Sequence, residues 1–298
     1  MIGQANPLKA AAWMMGAVFG FSLLAVAGRQ LALGLDTFEI MTYRSLVGVI
    51  TVTGIAILTG RRDHIKASAL HLHFARNLSH FAGQNLWLFA LTLIPLAQLF
   101  ALEFAYPILV AIGAVLFLGE CVNGLRALSF GIGFIGILIV ARPFGAGGLS
   151  IGLLSAMACA LGFAGSALFT KKLTQTANVT LISIMFWLSL MQMGMGLICA
   201  GFDGDVAWPS AQNWPWIIVI SLSGLGAHMC LTQALSLAPA SIVTPIDFLR
   251  LPLIAVIGMM FYGEELDVYV FVGAAIIFGA NYMNILTESR KKKAGNSH

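Results

Sequence analysis

The chain is predicted to be an all-α, polytopic membrane protein: ten transmembrane helices, arranged as two inverted five-helix repeats around a central cavity. Three observations predict it. The first is charge poverty. Hydrophobic residues make up 59% of the 298 and charged residues only 9%, with a mean hydropathy of +0.91. A soluble domain carries about 25% charged residues, so this chain cannot coat a globule in water and must lie in lipid. The second is a series of ten apolar runs, near 10–33, 37–59, 72–93, 96–118, 124–141, 149–170, 178–200, 214–236, 240–262 and 266–286. Each approaches the roughly 20 apolar residues that a bilayer-spanning helix needs. The third is an internal repeat. Residues 90–120 and 234–264 align without gaps and share 10 of 31 positions: Ala90, Leu91, Leu93, Pro95, Phe104, Leu109, Ala111, Phe117, Gly119 and Glu120, with Glu103 replaced by Asp247. Greasy composition alone does not put a Pro, an acid and a Gly-Glu pair in register, and internal repeats in apolar chains mark secondary transporters.

The first run begins after Lys9 and contains Ala25-Val26-Ala27, which resembles a secretory cleavage site. It continues to Leu33, long enough to span, and it has a counterpart: Arg29-Gln30-Leu31 aligns with Lys171-Lys172-Leu173, and Phe21 with Phe163. It is therefore read as a first membrane helix. Pro95 and Pro239 occupy tight turns between spans. Gly119-Glu120 and Gly263-Glu264 each close one span and open the next, Gly as a helix C-terminus and Glu at the positive N-terminal end of the following helix. Pro107 and Pro252 are one residue out of register, so the two copies are expected to kink differently.

The stretch Gly145 to Gly148 separates a first repeat, 1–146, from a second, 147–288, leaving a basic cytoplasmic tail over 289–298. Five spans per half is an odd number, so the second half enters the membrane from the opposite side. Basic residues set the orientation. With the N-terminus inside, the inner loops hold Arg61, Arg62, Lys66, Arg126, Lys171, Lys172, Arg290 and Lys291 to Lys293. The outer side holds Arg29 and Arg142, near helix ends where they can snorkel, and an acidic loop around 202–213 with Asp203 and Asp205. Trp208, Trp214 and Trp216 suit an outer interfacial belt. Both termini are thus expected to be cytoplasmic.

Several function classes fall away. The net charge of +4 and pI near 9.0 reflect loop and tail cations beside acidic headgroups, not a nucleic-acid surface. No GxxxxGK[ST] phosphate loop is present. Cys121, Cys159, Cys199 and Cys230 lack ligand spacing and read as small apolar packing residues. His64, His71 and His73 cluster near an inner loop, where solvated histidines are expected in preference to a metal site. No cofactor or metal is expected.

The paired A-L-x-L-x-P segments, each followed by an acid and a helix ending in Gly-Glu, resemble the EamA-type family of the drug/metabolite transporter superfamily. Phe38-Glu39 followed by Tyr43-Arg44 resembles that family's second span. The resemblance covers nearly the whole chain and looks closest to YddG-like exporters of aromatic and other amino acids. It implies a ten-helix carrier with both termini inside and a central cavity, and it leaves the substrate open.

Ionisable residues inside spans cost about 2.5–3.5 kcal/mol each and ask for a reason. Asn77, His80, Gln84 and Trp87 lie on one face of the third span, and Ser221, Gly224, His228 and Thr232 on one face of the eighth, with His228 matching Gln84 in the repeat. These faces border a cavity or bond helix to helix. Arg250 is a candidate partner for a substrate carboxylate with Asp247 at i,i+3 as its orienter, or else the pair is structural. Tyr106 stands opposite Arg250 in the repeat. The candidate substrate-binding set is His80, Gln84, Trp87, Tyr106, His228 and Arg250, while Glu103, Asp247 and Arg44 are candidates for charge coupling or structural pairing. Arg44 and Arg76, nearer helix ends, are read first as paired or snorkelling. Trp13, Phe19, Phe21, Phe100, Phe163 and Phe248 add aromatic lining.

The function expected is secondary transport: export of amino acids, aromatic or otherwise apolar, or of related small metabolites across the inner membrane by alternating access. The alternatives are a carrier for another class, such as drugs or sugars, and an intramembrane lipid-modifying enzyme, for which no tight catalytic constellation is visible. The partners expected are a small-molecule substrate and the lipid bilayer, with no nucleic acid and the oligomeric state left open.

Overall fold

A computed structural model describes residues 7–118, 124–142, 148–202, 204, 206–238, 243 and 246–295, with no side chain described for Pro7, for 117–118 or beyond 286. The expectations resting on Glu120, Cys121, Gly145, Asp203, Asp205, Pro239 and the side chains of the basic tail lie outside the described residues. Among the described residues every regular element is helical. The helices are α1 (Pro7–Leu31), α2 (Thr37–Leu58), α3 (Leu70–Leu93), α4 (Leu96–Glu103), α5 (Tyr106–Leu118), α6 (Gly124–Ala141), α7 (Ile151–Thr174), α8 (Leu181–Ala200), α9 (Asn213–Leu237), α10 (Arg250–Tyr262) and α11 (Val268–Gly295), with one 3-10 turn at Arg62–His64. Eight stretches among them are long and apolar enough to cross a membrane, counting α4 and α5 together. The 24-residue α3 misses that standard because its length carries His71, His73, Arg76, Asn77, His80, Gln84 and Asn85.

Helix starts follow local chemistry. Asp36 caps α2, accepting from the amides of Phe38 (2.7 Å) and Glu39 (2.8 Å), while Glu39 accepts the Asp36 amide at 2.8 Å, a reciprocal capping box. Ser150 caps α7 and Thr180 caps α8. Gly263 closes α10 at φ 65°, the left-handed position that glycine supplies without strain.

The two halves interlock. α1 packs along α9 and α3 along α7; α2 meets α8, α6 meets α11, and α4 meets α10. Two close approaches hold the first two pairs. A Cβ on Gly162 of α7 would sit 2.7 Å from Gly83 Cα and 2.9 Å from the Ser79 carbonyl of α3. A Cβ on Gly20 of α1 would sit 2.9 Å from Ala227 Cβ and 3.1 Å from the Ser223 carbonyl of α9. The contacted positions are 144 residues apart in each case, Ser79 with Ser223 and Gly83 with Ala227. Small residues let membrane helices approach closely where no hydrophobic drive between them exists.

Some expectations are corrected. The fourth span breaks at Phe104–Ala105, between α4 and α5, and Phe248–Leu249 forms the equivalent turn before α10. Tyr106 and Arg250 start their helices at matched positions, so the proline offset does not shift the break, because both prolines fall in a first helical turn where no amide is needed. Glu264 does not cap its own following helix. Asp267 does that, accepting the Tyr269 amide at 2.9 Å, while Glu264 accepts the first amide of α4, Leu96, at 2.8 Å. Arg29 and Arg142 do not merely snorkel: they pair with Glu264 and Asp267. His73 is fully buried on α3, with its ring 6.3 Å from Trp187, and is not a loop residue; His64 is exposed on the 3-10 turn and His71 is exposed on the first turn of α3. Among the described residues no cluster of His, Cys, Asp or Glu could hold a metal. Cys159 is buried and free in α7, as a packing residue would be. The last helix continues to Gly295, into the stretch expected to be a tail.

Candidate functional site

The capping box sets the rotation of α2. Glu39 and Tyr43, four residues apart on one face, hold the segment before α9: Glu39 accepts the Ala207 amide at 2.5 Å and Tyr43 donates to the Ala207 carbonyl at 2.8 Å. Trp208 and Trp214 pack edge-on around Tyr43, each 6.2 Å away. With those residues turned to the loop, Arg44, Ser45 and Gly48 face inward.

They face a narrow cavity of about 30 Å³ between α2, α3, α8 and α9. α3 contributes His80, α8 contributes Ser189 and Gln192, and α9 contributes Ser221, Gly224 and His228. Ser221 Oγ lies 3.1 Å from the Arg44 carbonyl. His80 Nδ1 and Gln192 Nε2 are buried without a hydrogen-bond partner, which is uncommon for groups that cost free energy when unpaired. The two imidazoles are held alike: Phe21 of α1 meets His228 edge-on at 5.2 Å, and Phe163 of α7 meets His80 edge-on at 5.6 Å. Phe21 and Phe163 are counterparts in the repeat.

The second polar cluster surrounds Arg250. Its guanidinium lies 3.4 Å from Glu103 and 3.3 Å from Asp247, and Trp87 Nε1 donates to Glu103 at 2.8 Å. The rings of Phe21, Phe104 and Phe100 lie 4.9, 4.9 and 5.1 Å from the guanidinium carbon. Three faces around one cation replace water by ring quadrupoles, which favour positive charge. Phe21 thus touches both clusters.

The sequence candidates divide accordingly. His80, His228 and Arg44 line the cavity; Trp87, Glu103, Asp247 and Arg250 form the buried ion cluster. Tyr106 is half-buried at the start of α5, three residues after Glu103. Gln84 is buried on α3 and is not among the cavity-lining residues. Asn77 is bonded to the Trp187 carbonyl at 3.0 Å and accepts from Arg76 at 3.1 Å, which joins α3 to α8. Sequence reasoning missed Ser45, Gly48, Ser189 and Gln192. The repeat offset could have found them, since 144 residues separate Ser45 from Ser189 and Gly48 from Gln192.

The chain belongs to the EamA-like transporter family, which matches residues 8–142 and again 150–286. This is a family of transporters, not of enzymes. The chain is 30% identical to a riboflavin transporter of Brucella anthropi over 83% of its length and 87% of that protein's. It is 25% identical to an S-adenosylmethionine uptake transporter of Rickettsia prowazekii over 98% of its length and 96% of that protein's. One crystal structure superposes with a TM-score of 0.63 at 16% identity, over 96% of this chain and 99% of that one, which shows a shared fold alone. The expected resemblance to aromatic amino-acid exporters is therefore narrowed to the family as a whole, whose relatives carry other small metabolites.

Proposed function

We propose that this chain carries a small polar metabolite across the inner membrane by alternating access, its two halves, 1–146 and 147–288, acting as inverted repeats with both termini cytoplasmic. The carrying observation is the cavity's composition in repeat coordinates. Arg44, Ser45, Gly48 and His80 on the first half match Leu188, Ser189, Gln192 and Gly224 on the second, and all eight line the cavity. A site on the axis between two interlocked repeats is where rocking of one half against the other would expose it to each side in turn.

The two halves offer unlike chemistry at matched places, which suits an asymmetric molecule held in one orientation. Amino acids, the class expected from sequence, remain candidates; riboflavin and S-adenosylmethionine join them from the names of the relatives. Liposomes holding only the purified protein should accumulate at least one of these labelled compounds saturably, with counterflow when unlabelled compound is inside. Leu225→Trp, which fills the cavity from α9, should abolish that flux while the protein remains folded. Unsaturable leakage unaffected by Leu225→Trp would refute the reading.

A further inference from the structure

We infer that the cavity receives a solute bearing an anionic group such as a carboxylate, with Arg44 as the anchor for that group; this rests on the cavity being the transport site proposed above. Arg44 carries a permanent positive charge. Among the described residues its guanidinium hydrogen-bonds only to the Met41 sulfur, at 3.9 Å, and no carboxylate pairs with it. Among the described residues no Asp or Glu lines the cavity. Arg76, one turn before His80 on α3, is 6% exposed and spends its guanidinium on the neutral side chains of Thr170, at 2.8 Å, and Asn77. Two guanidiniums are thus held inside the bundle without an acid.

The remaining polar groups point the same way. His80, 8% exposed, and Gln192, 2% exposed, each leave a buried nitrogen unpartnered on the cavity wall, and Ser45 and Ser189 add hydroxyl donors. Buried charge and buried donors are each costly without a partner, and a single anionic group would satisfy both. The contrast with Arg250 is direct. That cation has two carboxylates and three aromatic faces, so it is already neutralised and offers an anion little.

In a full-length protein whose four cysteines are replaced by serine, Leu225→Cys puts one thiol on the cavity wall. Its modification in nanodiscs would be compared for two methanethiosulfonates of similar size, one with a sulfonate and one with a trimethylammonium. A Cys at exposed Trp208 supplies the reference ratio. The anionic reagent should be favoured at position 225 by about fivefold or more over that reference, as an uncompensated charge in a poorly screened site would produce. The preference should vanish with Arg44→Gln and persist with Arg44→Lys, which keeps the charge. Equal rates, a preference for the cationic reagent, or a preference that survives Arg44→Gln would each overturn the anion assignment alone. A thiol at 225 that reacts with neither reagent would overturn the cavity, and the transport reading with it.

Discussion

Arg29 and Glu264 form an ion pair that joins the first helix of one half to the end of α10 in the other. Each partner has a second task. Arg29 donates to the Ile94 carbonyl at 3.1 Å and lies 4.7 Å from the Tyr262 ring centre, while Glu264 accepts the Leu96 amide. Four segments therefore meet at two side chains: α1, the turn at Pro95, α4 and the α10–α11 connection.

Glu264→Gln keeps an acceptor for Leu96 but removes the charge facing Arg29, and should cost about 1–3 kcal/mol, read as a lower melting temperature of purified protein. The swapped pair, Arg29→Glu with Glu264→Arg, should recover only part of that loss. An arginine at 264 restores the ion pair but cannot accept the Leu96 amide. Full recovery would show that the cap at α4 contributes nothing.

Arg250 has two acids, so its substitutions should be strongly non-additive. Glu103→Gln and Asp247→Asn each leave one carboxylate on the guanidinium and should be mild. Together they strand a buried cation and should cost about 3–5 kcal/mol. Arg250→Met strands two carboxylates side by side, and adding Asp247→Leu should restore much of the stability, since Glu103 keeps its Trp87 donor. A double-mutant cycle by thermal melting measures this coupling; additive single effects would show the cluster to be three independent groups.

Much of the fold was legible because membrane helices announce themselves by length and composition. Most expected spans agree with the helices to within a few residues where both are described, but the fourth is broken at Phe104–Ala105 and the last helix runs on to Gly295. α3 was legible for another reason: its polar stripe is periodic. What that stripe does was not legible. His80 turns to the cavity while Trp87, seven residues on, donates to Glu103, because α3 passes first the cavity and then the ion cluster. Periodicity reports a shared face and not how many neighbours that face meets. Arg44 was read from its distance to a helix end as paired or snorkelling; Glu39 and Tyr43 take the loop contacts, and Arg44 lines the cavity. Ser189 and Gln192 carry no charge, so only the repeat register could single them out.

The orientation has its own test. With both termini inside, a Cys at exposed Trp208, in the connection before α9, should react with an impermeant thiol reagent added to intact cells. A Cys at exposed Lys172, at the end of α7, should react only after permeabilisation. The reverse pattern would invert the topology and remove the basis for assigning an inward-facing N-terminus.

Close approach and open space predict opposite signs for one kind of substitution. Gly162→Ala would put a methyl group 2.7 Å from Gly83 Cα and 2.9 Å from the Ser79 carbonyl, both rigid backbone, so α7 and α3 must separate. Gly20→Ala meets Ala227 Cβ at 2.9 Å and the Ser223 carbonyl at 3.1 Å, so α1 and α9 must do the same. Each should destabilise by about 1–3 kcal/mol, the usual cost of overpacking. Gly194 sits in α8 with nothing within 4 Å of its would-be Cβ. There the substitution adds no clash and only removes glycine's backbone freedom, so Gly194→Ala should stabilise by up to about 1 kcal/mol. Melting curves of the three variants decide it. A stability unchanged in Gly20→Ala but lowered in Gly162→Ala would mean that the two interhelical contacts, alike in register, are not alike in tightness.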